Sequence, residues 1–246
     1  MSASPDHYSY KHYADPNVAE GFDELRFGGP IGRYLLESQE SVLLDVLAPV
    51  AGKRVIDVGT GTGRAAIGLA QAGALVTGVD ASAEMLIVAA ARSAAAGVDV
   101  TFERGDAHAV PAADRSFDAA VCLRVLMHAI DWKTCVAELC RVSRWRVVVD
   151  FPALGSLAAL ESGGRRLANA LGAKTEAYRV MAESDVTRAF AAHGFRIVTV
   201  RRQFVLPIAL HKALGQLAVT KGVERTLRGM GLLRLLGSPV TMVAER

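Results

Sequence analysis

The sequence has few cysteines, few aromatic residues and no long apolar run. Only three of its 246 residues are cysteines and 6% are aromatic. Cys122, Cys135 and Cys140 are odd in number, lack C-x-x-C spacing and have no histidine close by in the sequence. A disulfide framework and a metal site are therefore not predicted, and we expect a reduced, cytoplasmic protein in which the thiols are structural.

Two targeting features are also missing. No stretch of 18 apolar residues occurs, so we expect no membrane-spanning helix. The first thirty residues mix carboxylates with tyrosines and contain no apolar core, so we expect no signal peptide.

The charge balance argues against a nucleic-acid partner. The 28 basic and 25 acidic residues leave a formal net charge of only +3, which is too small a surplus to indicate a nucleic-acid groove. The basic residues lack interleaved aromatic side chains for base stacking. No N/D-P-P-Y/F-like motif follows the fourth predicted strand.

Short apolar runs alternate with helical patterns between residues 52 and 150, which is typical of a parallel sheet covered by helices on both faces. Strands are predicted at residues 54–58, 75–80, 99–104, 117–123 and 146–150. Helices are predicted at residues 33–48, 63–72, 83–96 and 132–142. The chain is therefore expected to be one α/β domain, 1–246, in which 33–150 binds a cofactor and 1–32 forms an arm or lid.

The alternation of strand and helix patterns becomes less regular after residue 150. Residues 152–180 mix glycine with leucine and alanine and indicate short helices. A helix at 183–192 precedes an alternating strand from Phe195 to Val205, and a last strand is expected at 239–245. Residues 206–237 then form a second insertion, and both insertions are candidate lids over a substrate.

The segment from Val55 to Arg64 predicts a buried strand, a glycine loop and the start of a helix. Its glycines fall at 59, 61 and 63, and Arg64 stands where the dinucleotide fingerprint has Gly or Ala. Asp57 would repel the pyrophosphate of NAD and attract an ammonium or a sulfonium. S-adenosylmethionine has both cations, so this loop favours it over a nicotinamide cofactor.

Carboxylates also follow the second and third predicted strands. Asp80 can accept hydrogen bonds from both ribose hydroxyls; alternatively it caps the next helix, a role that Ser82 fills as well. Met85 lies one helical turn later, where it packs against adenine or belongs to the core. Asp106 can accept from the adenine amino group while the Ala107 N–H serves a ring nitrogen, although Gly-Asp also makes a solvated turn.

These residues together resemble the class I S-adenosylmethionine-dependent methyltransferases, in the broad group that includes the ubiquinone and menaquinone biosynthesis methyltransferases. The resemblance covers about residues 40 to 150. It rests on four segments: Val55 to Arg64, Gly78 to Met85, Gly105 to Pro111, and Phe117 to His128.

The resemblance implies a doubly wound sheet of seven mostly parallel strands, in the order 3-2-1-4-5-7-6, with the last strand antiparallel. It implies that Gly59, Thr60 and Gly61 line the methionine part of the cofactor. Ala81 would accompany Asp80 at the ribose, and the Leu123 carbonyl would accept from the methionine amino group.

Candidates for catalysis are less specific. His128 follows the fourth strand at the ligand edge and is the candidate base, although the same position recurs in the family with unrelated acceptors, which favours a structural role. Arg124 departs from the family pattern and could hold an anionic acceptor or the cofactor carboxylate. Further candidates without a partner identifiable by spacing are His108, Asp150, Glu176 and Tyr178. In the N-terminal arm, Tyr8, Tyr10, Tyr13 and Arg26 form a lid over the cofactor or a plain surface arm.

Residues 206–237 contain five basic residues and one acid among many leucines. Such a segment can lie on an anionic membrane, cover an apolar pocket or form ordinary solvated helices. Its five glycines, at 215, 222, 229, 231 and 237, are expected to break it into short pieces, which favours a pliable lid.

The sequence therefore predicts a methyltransferase that uses S-adenosylmethionine on a small, largely apolar acceptor such as a quinol, a lipid-linked compound or a secondary metabolite. Alignment of the acceptor with the methyl group can supply much of the acceleration of such a reaction. Two alternatives stay open: a nicotinamide-dependent oxidoreductase, and a module that binds the cofactor without catalysis. The oligomeric state is not predicted.

Overall fold

Seven strands form one mixed sheet in this computed structural model, which describes residues 28–170, 172 and 178–246. The strands are β1 Arg54–Val58, β2 Leu75–Asp80, β3 Val100–Arg104, β4 Phe117–Cys122, β5 Ser143–Phe151, β6 Arg196–Phe204 and β7 Ser238–Glu245. Their order is β3-β2-β1-β4-β5-β7-β6, and β7 runs antiparallel to the strands on either side of it, β5 and β6. The predicted sheet order is confirmed.

Helices cover both faces of this sheet. Their bounds are α1 Gly29–Leu47, α2 Arg64–Gln71, α3 Ala83–Ala95, α4 Trp132–Val142, α5 Leu157–Ala170, α6 Glu183–Ala191, α7 Ile208–Leu214, α8 Leu217–Gly229 and α9 Leu232–Leu236. Leu43 and Leu69 bring α1 and α2 onto one face. Leu139 and Phe190 bring α4 and α6 onto the other face. Burial of these apolar stripes is the main favourable term in folding.

The strand register determines where a site can form. Asp57 of β1 pairs with Gly78 of β2 on one side and with Val121 of β4 on the other. The carboxyl ends of these three strands therefore meet at one edge of the sheet. The chain leaves β1 between β2 and β4, where the strand order reverses, and ligands of open α/β sheets bind at such a point.

The two insertions differ in part from their prediction. In 152–180 the described residues contain one longer helix, α5, and residues 171 and 173–177 lie outside the described part of the chain. In 206–237 the helices break at Gly215 and Gly231, which both have positive φ. Gly222 does not break the segment, because it lies inside α8, whose inward face buries Thr220 and Glu224, whereas Gly229 is the last residue of that helix.

The second insertion packs on the first helix. Ile31 and Leu35 of α1 form a small cluster with Phe204 at the end of β6, and Tyr34 and Ile208 pack against it. The Tyr34 and Phe204 rings meet edge to face, with centroids 5.9 Å apart. Helices α7 to α9 are thus attached to the domain through α1 and β6.

The three cysteines are buried free thiols. Burial raises the pKa of Cys135 and of Cys140 to about 12, as expected for structural thiols. Among the residues that the structure describes, no helix is both long and apolar enough to cross a bilayer.

Candidate functional site

The loop after β1 has a conformation that its glycines allow. Gly59, Gly61 and Gly63 all have positive φ, at 76°, 54° and 81°. A Cβ atom built on Gly59 would lie 2.2 Å from Cγ2 of Val125, so the backbone packs directly on the segment after β4. Gly63 ends the loop in a left-handed conformation, and α2 begins at Arg64.

The amide groups of this loop are already hydrogen-bonded within the protein. The N–H groups of Gly59 and Thr60 donate to the carbonyl oxygen of Val79, at 2.7 and 3.0 Å. The N–H of Gly61 donates to Oδ2 of Asp80 at 2.8 Å. Phosphate-binding glycine loops instead point such N–H groups at the ligand.

Asp57 lies almost fully buried beneath this loop, with 2% of its surface exposed. The Thr60 hydroxyl donates to its Oδ2 at 2.7 Å. Burial raises the pKa of Asp57 to about 6, partly offset by that hydrogen bond, and the nearby Asp80 raises it further. The charge of Arg64 lowers this pKa, and a cationic ligand would stabilise the ionised carboxylate further.

Asp80 links the end of β2 to the loop. Besides the Gly61 N–H, it accepts the N–H of Ser82 at Oδ1, at 2.9 Å. Ser82 is the N-cap of α3, because its hydroxyl accepts the Met85 N–H at 3.0 Å. Burial raises the pKa of Asp80, against the backbone hydrogen bonds from Ser82 and Gly61. The helix thus has Ser82 as its cap, and Asp80 keeps oxygen lone pairs for further donors.

Asp106 follows β3 and holds a histidine. Its Oδ1 accepts the His108 N–H at 2.9 Å and lies 2.8 Å from His108 Nδ1. The Asp131 N–H donates to His108 Nε2 at 3.3 Å. His108 therefore connects the loop after β3 to the start of α4.

Arg124, directly after Leu123 and β4, adopts a left-handed backbone conformation with φ of 64°. Its N–H donates to Oδ1 of Asp150, a buried residue at the end of β5. Burial raises the pKa of Asp150 to about 6, while the charge and the N–H of Arg124 lower it. A non-glycine residue in this region is strained, and here the buried carboxylate holds it.

These elements surround a cavity of about 210 Å³ at the carboxyl edge of the sheet. Every residue predicted to contact the cofactor lines it, namely Asp57, Gly59, Thr60, Gly61, Asp80, Ala81, Met85, Asp106, Ala107 and Leu123. His128 and Arg124 line it as well. Met85 is also 2% exposed, so it belongs to the core and to the cavity wall. The part that each of these residues plays toward a cofactor stays a prediction.

Sequence reasoning missed one wall of the cavity. Leu36, Gln39, Glu40 and Leu43 of α1 line it, together with Arg64. Burial raises the pKa of Glu40, and the charge of Arg64 lowers it. Gln39 and Glu40 lie in a polar run from Glu37 to Ser41 of this helix, so no local pattern set them apart.

The remaining candidates lie elsewhere. Tyr178 packs against α5, where its hydroxyl donates to the Ala158 carbonyl at 3.2 Å, and it does not line the cavity. Glu176 and the arm residues Tyr8, Tyr10, Tyr13 and Arg26 lie outside the described residues. None of the described residues that line the cavity comes from 152–180 or 206–237, so the lid assignments stay predictions.

Comparison with known proteins identifies the segment that forms this site. Residues 55–145 match the family described as "Methyltransferase domain". The chain is 41% identical over 125 residues to a ubiquinone biosynthesis O-methyltransferase of Ralstonia nicotianae, covering 48% of this chain and 52% of that protein. It is 38% identical over 103 residues to a demethylmenaquinone methyltransferase of Renibacterium salmoninarum, covering 42% of each. The chain thus spans about half the length of these relatives.

Solved structures share the whole fold at low identity. The magnesium protoporphyrin IX methyltransferase of Synechocystis with bound SAH superposes with a TM-score of 0.65 at 20% identity, covering 94% of this chain and all of that one. The cyclase SpnF superposes with a TM-score of 0.61 at 19% identity, covering 85% and 79%. Likeness at this identity establishes the fold alone.

Residues 55–145 thus resemble a methyltransferase domain, and the chain shares the fold of a methyltransferase of known structure. S-adenosylmethionine is the cofactor that this resemblance implies. The residues present fit it, because the buried carboxylate of Asp57 and the partly buried carboxylate of Asp80 line the cavity, and the loop amides of Gly59, Thr60 and Gly61 are not available to a phosphate. Those residues would lie around the methionine and ribose parts of the cofactor.

We expect Gly59→Ala to destabilise the protein by about 2 kcal/mol, because the new Cβ would meet Val125 and the backbone has positive φ. Urea unfolding would measure the change. Gly68→Ala is the matched control: Gly68 lies within α2, and a Cβ added there would meet nothing within 4 Å, so alanine should stabilise by up to about 1 kcal/mol. Equal effects of both substitutions would contradict the proposed loop packing.

Proposed function

We propose that the protein transfers the methyl group of S-adenosylmethionine to a small acceptor bound beside the cofactor. The observation that supports this most directly is the pairing of a buried carboxylate, Asp57, with a glycine loop whose N–H groups are satisfied internally. Such a site favours a cationic ligand over an anionic one. When bound, the cofactor supplies an activated methyl group and a neutral leaving group.

The same geometry disfavours the nicotinamide alternative. A pyrophosphate needs free N–H groups at the loop and the helix start, whereas Gly59, Thr60 and Gly61 donate to Val79 and Asp80. The dinucleotide fold also has the strand order 3-2-1-4-5-6, whereas this sheet inserts an antiparallel β7 between β5 and β6. No observation favours the oxidoreductase.

The roles of the residues follow from their positions around the cavity. We assign ribose binding to Asp80 and adenine contact to Asp106, Ala107 and Met85. The Leu123 carbonyl is assigned to the amino group of the methionine part, and the Asp150 carboxylate acts on this contact indirectly, by holding Arg124. The chain's main contribution is then alignment of the acceptor with the methyl group and exclusion of water, which can supply much of the acceleration.

We further propose a quinol-type acceptor. Relatives of the matched segment are named for ubiquinone and menaquinone synthesis. Beyond the loop, the cavity wall is apolar at Leu36, Val125, Ala129 and Ile130, which suits an aromatic ring. Arg124 on the same wall would stabilise a phenolate oxygen or another anionic group of the acceptor.

Two measurements test the proposed function. Calorimetric titration should show binding of S-adenosylmethionine and no comparable binding of NAD. Incubation with a panel of quinols, phenols and amines should then produce S-adenosylhomocysteine with at least one quinol or phenol. NAD binding without a response to S-adenosylmethionine would overturn the proposal. Tight cofactor binding without turnover across the panel would favour the non-catalytic module.

Asp80→Ala should weaken S-adenosylmethionine binding at least tenfold, which is about 1.4 kcal/mol, because two hydroxyl contacts would be lost. Asp99→Ala is the matched control, since Asp99 is an exposed carboxylate just before β3, and it should bind as the wild type does. Circular dichroism would verify that both variants are folded. Unchanged affinity in folded Asp80→Ala would contradict the ribose assignment.

Cofactor affinity should depend on pH through Asp57. Its pKa of about 6 in the free protein lies above the usual 3.8, so the carboxylate takes up a proton as pH falls through that value. The ammonium and sulfonium of the cofactor favour the ionised form, so the dissociation constant should increase as pH is lowered from about 7 to about 5. Titrations of wild type and Asp57→Asn should differ in this slope, with a flatter response in the variant. A pH-independent affinity in the wild type would rule out this linkage.

His128 is the proposed general base for an acceptor that is protonated at neutral pH. His128→Ala should leave cofactor affinity nearly unchanged and lower kcat at least tenfold with such an acceptor. Its kcat should approach that of the wild type as pH exceeds the pKa of the acceptor hydroxyl. If kcat is lowered equally at every pH, the histidine has a structural role instead.

A further inference from the structure

The one acid of residues 206–237 points into the protein. Glu224 of α8 is 4% exposed, and its carboxylate accepts the N–H groups of Val205 and Leu206 at 2.9 to 3.1 Å. Oε1 also lies 3.1 Å from Nε2 of the fully buried His211 on α7. This buried carboxylate fastens α8 to the end of β6 and leaves the outer surface of the segment without a negative charge of its own.

The basic residues of the same segment point outward. We define the basic face as Lys221, Arg225 and Arg228 of α8 with Arg234 of α9. The three α8 residues are spaced i, i+4 and i+7, so they lie along one side of the helix. All four are exposed, and none forms an ion pair with any residue that the structure describes. Lys221 Nζ lies 4.9 Å from the centroid of the Tyr34 ring on α1.

Exposed apolar side chains occur in the same segment. Val219, Met230 and Leu235 are 41%, 68% and 72% exposed, and Leu210 of α7 is 44% exposed. A segment that exposes both cations and large apolar side chains has the composition that binds the headgroup region of a bilayer. Residues 206–237 contain no Phe, Tyr or Trp, so the aromatic platform that single-stranded nucleic acids need is missing.

We propose that the basic face docks on a membrane surface that contains anionic lipid. The four cations meet the headgroups, and Met230 and Leu235 enter the boundary between headgroups and acyl chains. A second copy of the chain is a poor occupant, because two identical basic faces repel each other. This proposal goes beyond the proposed function and does not depend on it.

The docked orientation would place the cavity close to the bilayer. Helices α7 to α9 follow the carboxyl end of β6, the same edge of the sheet at which the cavity opens. Tyr34 of α1 lies under Lys221, while Leu36, Gln39 and Glu40 of the same helix line the cavity. One helix therefore separates the basic face from the site.

Vesicle co-sedimentation of the full chain tests the docking. Vesicles of phosphatidylcholine alone are compared with vesicles that contain about one third phosphatidylglycerol. We expect roughly tenfold greater binding to the anionic vesicles at low salt, and a loss of most of that gain at about 0.5 M NaCl. Equal binding to the two compositions would overturn the proposal.

A pair of double variants assigns the binding to this face. Arg225→Glu with Arg228→Glu should reduce binding to the anionic vesicles at least tenfold. Lys53→Glu with Arg196→Glu changes the net charge equally at exposed positions on the opposite edge of the sheet, and it should keep more than half of the wild-type binding. Equal loss in both double variants would show only a dependence on net charge and would refute the assignment.

Two further measurements test the contribution of the apolar side chains and the alternative of a nucleic-acid ligand. Met230→Ser with Leu235→Ser should reduce the binding that survives high salt, and no change would remove these side chains from the contact. A DNA oligonucleotide that binds more tightly than the anionic vesicles would identify a nucleic-acid surface and overturn the lipid assignment. Thermal unfolding and cofactor titration of each variant would show that the fold and the cofactor site are intact, so that loss of docking is distinguished from failure of the proposed function.

Discussion

The hydrogen bonds between the end of β2 and the loop after β1 are the constraint on which the site depends. The Val79 carbonyl accepts two loop N–H groups and the Asp80 carboxylate accepts a third. Hydrogen bonds to an ionised carboxylate are roughly twice as strong as neutral ones. They hold the glycines in left-handed conformations and press Gly59 against Val125, which connects the loop to the segment after β4. The ends of three strands thereby become one rigid wall.

This arrangement also determines the charge that the cavity favours. Because the loop amides are used internally, the remaining polar groups at its floor are carboxylates, and burial raises the pKa values of Asp57 and Asp80. Burial of an ionised carboxylate is costly unless it is paired. Arginine charges act on these and the neighbouring carboxylates: Arg64 on Asp57 and on Glu40 of α1, and Arg124 on Asp150. A cation bound at the floor would offset that cost and would be bound more tightly for the same reason.

Much of the fold could be predicted from local patterns, because buried strands and capped helices each occupy few consecutive residues. Most observed strands agree with the predicted ones within one or two residues, and β5 begins three residues earlier, at Ser143. The strand order came from the family resemblance, since no local pattern specifies which distant strands pair. Periodicity indicated that α1 has a buried face but not what that face meets, so Glu40 was missed. Gly222 was expected to end a helix, yet α8 continues through it to Gly229, and the contacts of Glu224 with Val205 and Leu206 hold this helix in place.

The fold by itself does not determine the reaction. A methyltransferase and a cyclase both superpose on this chain with TM-scores above 0.6, so the sheet and its switch point are a scaffold on which different chemistry can be placed. What distinguishes one such protein from another is the wall beyond the cofactor. Here that wall combines apolar residues of α1 and of the segment after β4 with Arg124, whose strained backbone is held by a buried carboxylate. Strain of about 1 to 3 kcal/mol persists only where the surrounding structure enforces it, and Arg124 lines the cavity, where it would contact the acceptor that we propose.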